Sequence, residues 1–221
     1  MTRVDFEKKL KQLEHDVLSL GDMVEGAIYR SVEALKGRDL KAAGQIIADD
    51  VKINQKRHDI EQECIGLIAA HQPVADDLRV IISILNIIID LERMADHAEG
   101  IAKVVLMIGY ERRLKPLVDI PRMADKAREM LREALGAFTR RDIEAAKRIC
   151  AEDDEVDHLH DQVYRELLTF ILQDPRTITR ATRLLWVAHN LERIADRVTN
   201  ICERVVFMVT GEMIEIGSSK Y

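Results

Sequence analysis

Apolar residues recur in alternating steps of three and four along most of this chain. Leu10, Leu13, Val17, Leu20, Val24 and Ala27 set the pattern, and Leu117, Ile120, Ala124, Ala127, Leu131, Ala134 and Phe138 resume it after the midpoint. A third run is Ile84, Ile87, Leu91, Met94, Ala98, Ile101, Val105 and Ile108. Its partner, one hundred residues on, is Leu184, Val187, Leu191, Ile194, Val198, Ile201, Val205 and Met208. Such spacing keeps one side of an α-helix apolar and predicts seams for antiparallel bundle packing.

The interruptions are short and also come in pairs. Gly37-Arg38-Asp39 and Arg140-Arg141-Asp142 predict turns in which the Asp caps the following helix. Pro73 and Pro175 end two further helices, since proline cannot continue the hydrogen-bond ladder. Asp76 or Asp77 is expected to cap the helix after Pro73, with Arg79 covering the turn, and Thr177 the helix after Pro175. Gly109 to Pro121 connects the halves. The expected fold is all-α: two tandem pseudo-symmetric three-helix bundles, built from six long antiparallel helices. The first spans 1–110, the second 115–212, and 213–221 is a frayed tail.

The halves share a hexapeptide. Leu91-Glu92-Arg93-Met94-Ala95-Asp96 returns as Leu191-Glu192-Arg193-Ile194-Ala195-Asp196. Each copy keeps a Glu and an Asp four residues apart on one helix side, a like-charge arrangement that costs roughly 0.2–0.5 kcal/mol. With Leu191 and Ile194 in the apolar seam, Glu192 and Asp196 fall about 100–140° away from it, and Glu92 and Asp96 do the same. These pairs therefore face away from their own three-helix core. Ile82, Leu85, Ile89, Leu185 and Val206 share that side, which suggests a covered, docking or dimer surface. The middle helices offer matching oxygens: Asp153 and Asp157, and one hundred and three residues earlier Asp50 and Asn54, with Asp49 and Asp154 beside them. Two carboxylate pairs from adjacent helices suit Mg, Mn, Fe or Zn. His189 shares the Glu192 face. Asn54 replaces a charge, so the second site is expected to bind metal better.

Composition removes several function classes. The chain has 221 residues and a net charge of −6, with no basic face for nucleic acid. Cys64, Cys150 and Cys202 form no CxxC pair, and Cys64 and Cys202 read as small core residues beside the seams. Their odd number fits a reducing cytosol. The start is charged and unlike a signal peptide, and the apolar run Val80 to Ile89 is too short to cross a bilayer. No Gly-rich phosphate loop or activated nucleophile is present, so no enzymatic activity is expected.

The tandem halves, each with Glu-x-x-x-Asp on its last helix, resemble the PhoU family of phosphate-signalling regulators. Gln72-Pro73-Val74-Ala75-Asp76-Asp77-Leu78-Arg79 is similar to that family's first-half signature, which Leu91 to Ala98 continues. Leu191 to Asp196 with Thr199-Asn200-Ile201 is similar to its second. The resemblance implies a cytoplasmic negative regulator of phosphate uptake, working between the ATPase of the phosphate ABC transporter and a sensor histidine kinase. It also implies iron or zinc clusters on the acidic motifs, with Glu92, Asp96, Asp50, Glu192, Asp196, Asp153 and Asp157 as ligands. A homodimer without nucleic-acid binding or direct membrane insertion completes the expectation.

Three other readings compete. A phosphotransfer histidine would be His97, but Arg197 replaces it in the second copy. A carboxylate-bridged metal oxidase or metal-storage bundle would use Glu-x-x-His motifs pointing into a four-helix core, and the repeated sites lack both features. Arg93 and Arg193, between the motif carboxylates, could neutralise them without metal.

Overall fold

The computed structural model describes residues 3–216, and among these the chain forms six α-helices, one short 3-10 turn and no strand. They are α1 (Arg3–Gly37), α2 (Leu40–His71), α3 (Ala75–Ile108), α4 (Asp119–Arg140), α5 (Ile143–Gln173) and α6 (Ile178–Thr210). The 3-10 turn is Pro175–Thr177. The all-α expectation holds, helix for helix.

Two layers result from which helices touch. α2, α3, α6 and α5 lie side by side in that order, because α3 packs on α2 and α6, and α6 on α3 and α5. α1 lies behind α2 and α3, α4 lies behind α5 and α6, and α1 meets α4. One connected set of buried residues runs through all six helices. The outer helices need only a narrow apolar stripe. In α2 it is Ile46, Ile53, Ile60 and Leu67, seven residues apart. α3 and α6 each touch three neighbours and are accordingly buried on a broader arc. Where α1 meets α4 the Leu135 side chain packs directly on Gly21: a Cβ there would lie 2.2 Å from Leu135 Cδ1.

The duplicated turns have duplicated geometry. Asp39 accepts from the Ala42 amide at 2.9 Å, and Asp142 from the Ala145 amide at 3.0 Å, as expected for caps. Before each, an arginine takes the left-handed conformation, Arg38 at φ 53° and Arg141 at φ 56°. The next amide then reaches back to close the helix end, Asp39 to the Ala34 carbonyl and Asp142 to that of Ala137, both at 2.9 Å.

Other capping expectations are corrected. α3 begins at Ala75 behind Val74, which makes no side-chain cap. Asp76 and Asp77 lie inside the first turn, paired instead with Arg79 and Arg3. Thr177 precedes α6 but gives it no side-chain cap, because its hydroxyl donates backward to the Phe170 and Asp174 carbonyls. Pro121 lies within the first turn of α4, where its missing N–H costs nothing. Of the expected tail, Gly217 to Tyr221 fall outside the described residues. Ile214 and Ile216 pack against the core, and the Ile216 amide donates to Glu203 at 2.9 Å.

Candidate functional site

α3 and α6 form the centre of the front layer, and their contact repeats itself about a pseudo-twofold axis. On α3, Asp90 is buried and accepts from Asn200 Nδ2 at 3.1 Å and from Arg197 at 3.3 Å. On α6 the counterpart of Asp90 is Asn190, whose Oδ1 lies 2.9 Å from His97 Nδ1. Since Oδ1 can only accept, His97 carries its proton on Nδ1 there. Burial pushes the His97 pKa down, which keeps the ring neutral. That nitrogen is committed to the helix contact. Gly100, the counterpart of Asn200, leaves room for Asn190: a Cβ there would sit 3.0 Å from its Oδ1.

The two acidic motifs flank this centre. α5 brings Asp153 and Asp157 to Glu192 and Asp196 of α6. All four are partly buried, and burial raises all four pKa values, reinforced by neighbouring carboxylates for all but Asp196. Asp153 is pushed up to about 7, first by burial and then by Asp157, Asp196 and Glu192. Glu192 is pushed up to about 7 by burial and by Asp196, against the pull of Arg193. Asp153 Oδ1 and Glu192 Oε2 are buried with no hydrogen-bond donor. His189 Nδ1 is 3.3 Å from Glu192 Oε2 but is not aligned to donate to it. An oxygen so placed is satisfied by a proton or by a cation.

The α2–α3 groove differs in composition. Asp50 accepts from Asn54 Nδ2 at 2.7 Å, so the neutral residue serves the carboxylate rather than a cation. Burial raises the Asp50 pKa, and the next causes are Glu99 and Asp96. Glu92 is raised by burial and by Asp96. Glu99 thus restores the fourth carboxylate that Asn54 removed. The sequence held that signal, since Glu99 is seven residues beyond Glu92 on the same helix face. Lys103 pairs with Glu99 at 2.5 Å and offsets it.

All seven expected ligands therefore border the two grooves, in separate groups. Arginine neutralisation is also present: Arg193 Nη1 lies 2.6 Å from Asp196, and Arg93 lies 3.5 Å from Asp96 and 3.6 Å from Glu92. Among the described residues, no three His, Cys, Asp or Glu side chains converge closely enough to hold an ion as they stand. Among the described residues, orphaned carboxylate oxygens occur in the second groove and not in the first. The apolar residues of this side are covered to different degrees. Val206 is buried, Leu85 and Leu185 are half-buried, and Ile89 is 42% exposed. Cys64 and Cys202 are buried, as expected of core residues.

Comparison with known proteins matches this geometry to a family. The PhoU domain model covers residues 17–105 and 120–205, one match per half. A phosphate-specific transport system accessory protein PhoU homolog from Clostridium acetobutylicum is 37% identical, over 98% of this chain and 100% of that protein. One from Aquifex aeolicus is 39% identical, over 94% of each chain. Among solved structures, the phosphate transport system regulatory protein PhoU from Streptococcus pneumoniae superposes with a TM-score of 0.88 at 34% identity, covering 95% of this chain and 99% of that one. PhoU from Pseudomonas aeruginosa gives 0.89 at 35% identity, over 94% and 100%. Among the described residues no helix is long and apolar enough to cross a membrane.

Proposed function

The chain belongs to the PhoU family, and from that premise we propose that it is an accessory regulator of phosphate transport that acts by docking onto other proteins. The observation that carries this reading is the near full-length match, in both halves, to transport accessory and regulatory proteins. The partners we assign are the ATPase of the phosphate ABC transporter and a sensor histidine kinase, with the protein in the cytoplasm as a homodimer and repressing the phosphate response when phosphate is abundant. A layer of four helices lying side by side, with acidic grooves between them, supports a docking role because it offers an extended surface.

The acidic grooves are the second part of the proposal. Glu192, Asp196, Asp153 and Asp157 would hold a divalent or iron-type cation, and Glu92, Asp96 and Asp50 a weaker one. A cation there would supply positive charge to carboxyls that burial and mutual repulsion hold at a cost. The two orphaned oxygens support it.

Three experiments separate the parts. Affinity capture on the tagged protein from cells grown in high and low phosphate should recover the ATPase and the kinase, and a deletion strain should express the phosphate response in rich phosphate. Unchanged expression in that strain rejects the regulatory reading. Elemental analysis under native conditions should find metal in the purified protein and less in Glu192→Gln/Asp196→Asn. Background metal in the wild type rejects the cation reading alone.

A further inference from the structure

The segment joining the halves lines a small cleft that opens to solvent. It lies between the end of α1, the stretch Glu111 to Leu117 and the first turns of α6. Its floor is apolar and includes Leu35, Leu114 and Leu184. Around it stand four guanidinium groups, on Arg38, Arg112, Arg113 and Arg180.

These arginines differ from those elsewhere in the protein. Arg128 is paired with Glu25 at 2.7 Å and Arg193 with Asp196 at 2.6 Å. None of the four in the cleft has a carboxylate partner among the described residues. Arg38 donates to the Glu111 carbonyl at 3.4 Å, Arg113 to that of Lys36, and Arg180 to that of Arg112 at 3.3 Å. The acid of the cleft, Glu111, is already engaged by Arg183 at 2.9 Å. Lys115 is buried and taken by Glu166. A chain of net charge −6 thus gathers four guanidinium groups at one apolar-floored cleft, where Asp174 also acts on Arg180 from nearby.

Backbone contacts use few of each guanidinium's five donors and hold three of the side chains in place, leaving the remaining forks free for a planar or tetrahedral anion. Arg180 lies in the first turn of α6, at the positive end of that helix's dipole. Several unpaired guanidiniums match a dianionic phosphoryl group better than a single carboxylate. The apolar floor has no use for bare phosphate and suits an organic body.

We propose that this cleft binds a small organic phosphate, its phosphoryl group on Arg38, Arg112, Arg113 and Arg180 and its apolar body on the leucine floor. The inference stands apart from the acidic grooves and from the docking reading.

The test is isothermal titration of the full-length protein with AMP, adenosine and inorganic phosphate at fixed ionic strength. AMP should bind saturably and more tightly than either fragment. Arg112→Ala and Arg180→Ala should each weaken it roughly tenfold, while Arg132→Ala, which removes an exposed charge elsewhere, should leave it unchanged. Arg112 is exposed, so Arg112→Ala retains the fold even if Arg180→Ala does not, and circular dichroism checks both. Absence of saturable AMP binding overturns the proposal. So does equal loss in Arg132→Ala, or inorganic phosphate binding as tightly as AMP.

Discussion

Asp90 on α3 and Asn200 on α6 hydrogen-bond at 3.1 Å, and their counterparts across the duplication, Asn190 and Gly100, approach each other in the mirrored place. The helix pair at the centre of the molecule is therefore pinned twice by one repeated position. One pin is charged, with Asp90 between Asn200 and Arg197, and the other is neutral, with Asn190 on His97.

The charged pin should be energetically coupled. Asp90→Ala leaves two partly buried donors without an acceptor and is expected to cost about 1–3 kcal/mol. Asn200→Ala should cost less, and the double variant should fall short of the sum. Urea denaturation of the four proteins measures this. Costs additive to within about 0.5 kcal/mol would show that the two side chains do not act together.

Stability should depend on pH through the second acidic groove. Asp153 and Glu192 rise from 3.8 and 4.5 to about 7 in the folded protein. A raised carboxyl pKa means the folded state binds the proton more tightly. The contribution is thus complete below about pH 4 and lost as pH climbs through about 7. Solvent screening reduces it to about 1–2 kcal/mol. Asp153→Asn should therefore gain on the wild type as pH rises from about 5 to 8, with metal chelated. A difference that stays flat or shrinks would contradict the assignment.

Gly21→Ala should destabilise, against the usual sign. In an open helix position this change stabilises by about 1 kcal/mol. Here the new Cβ would sit 2.2 Å from a methyl of buried Leu135. Overpacking of this kind costs about 1–3 kcal/mol, so the melting temperature should fall. Adding Leu135→Ala should relieve the clash, so that Gly21→Ala costs less in that background in a double-variant cycle.

The paired turns should respond alike. Asp39→Ala and Asp142→Ala each remove one side-chain cap and should each cost about 1 kcal/mol in chemical denaturation. Thr177→Ala loses no cap, and its effect on stability should come instead from the two carbonyls its hydroxyl serves.

The sequence by itself determined the helices, their breaks and their duplication. Heptad spacing needs only local geometry, and Asp39 and Asp142 cap within three residues of themselves. The placement of Glu92, Asp96, Glu192 and Asp196 outside their own seams was legible for the same reason, because a helix turns by a constant angle per residue. Thr177, Asp76 and Asp77 misled, since each is a good capping residue whose side chain found a closer partner in the folded protein. The tertiary structure alone decided that α3 and α6 lie together at the centre, that Glu99 stands beside Asp50, and that four arginines from three distant segments surround one cleft. Those relations depend on which helices touch and at what depth, and contacts between residues far apart in the chain leave no periodic trace along it.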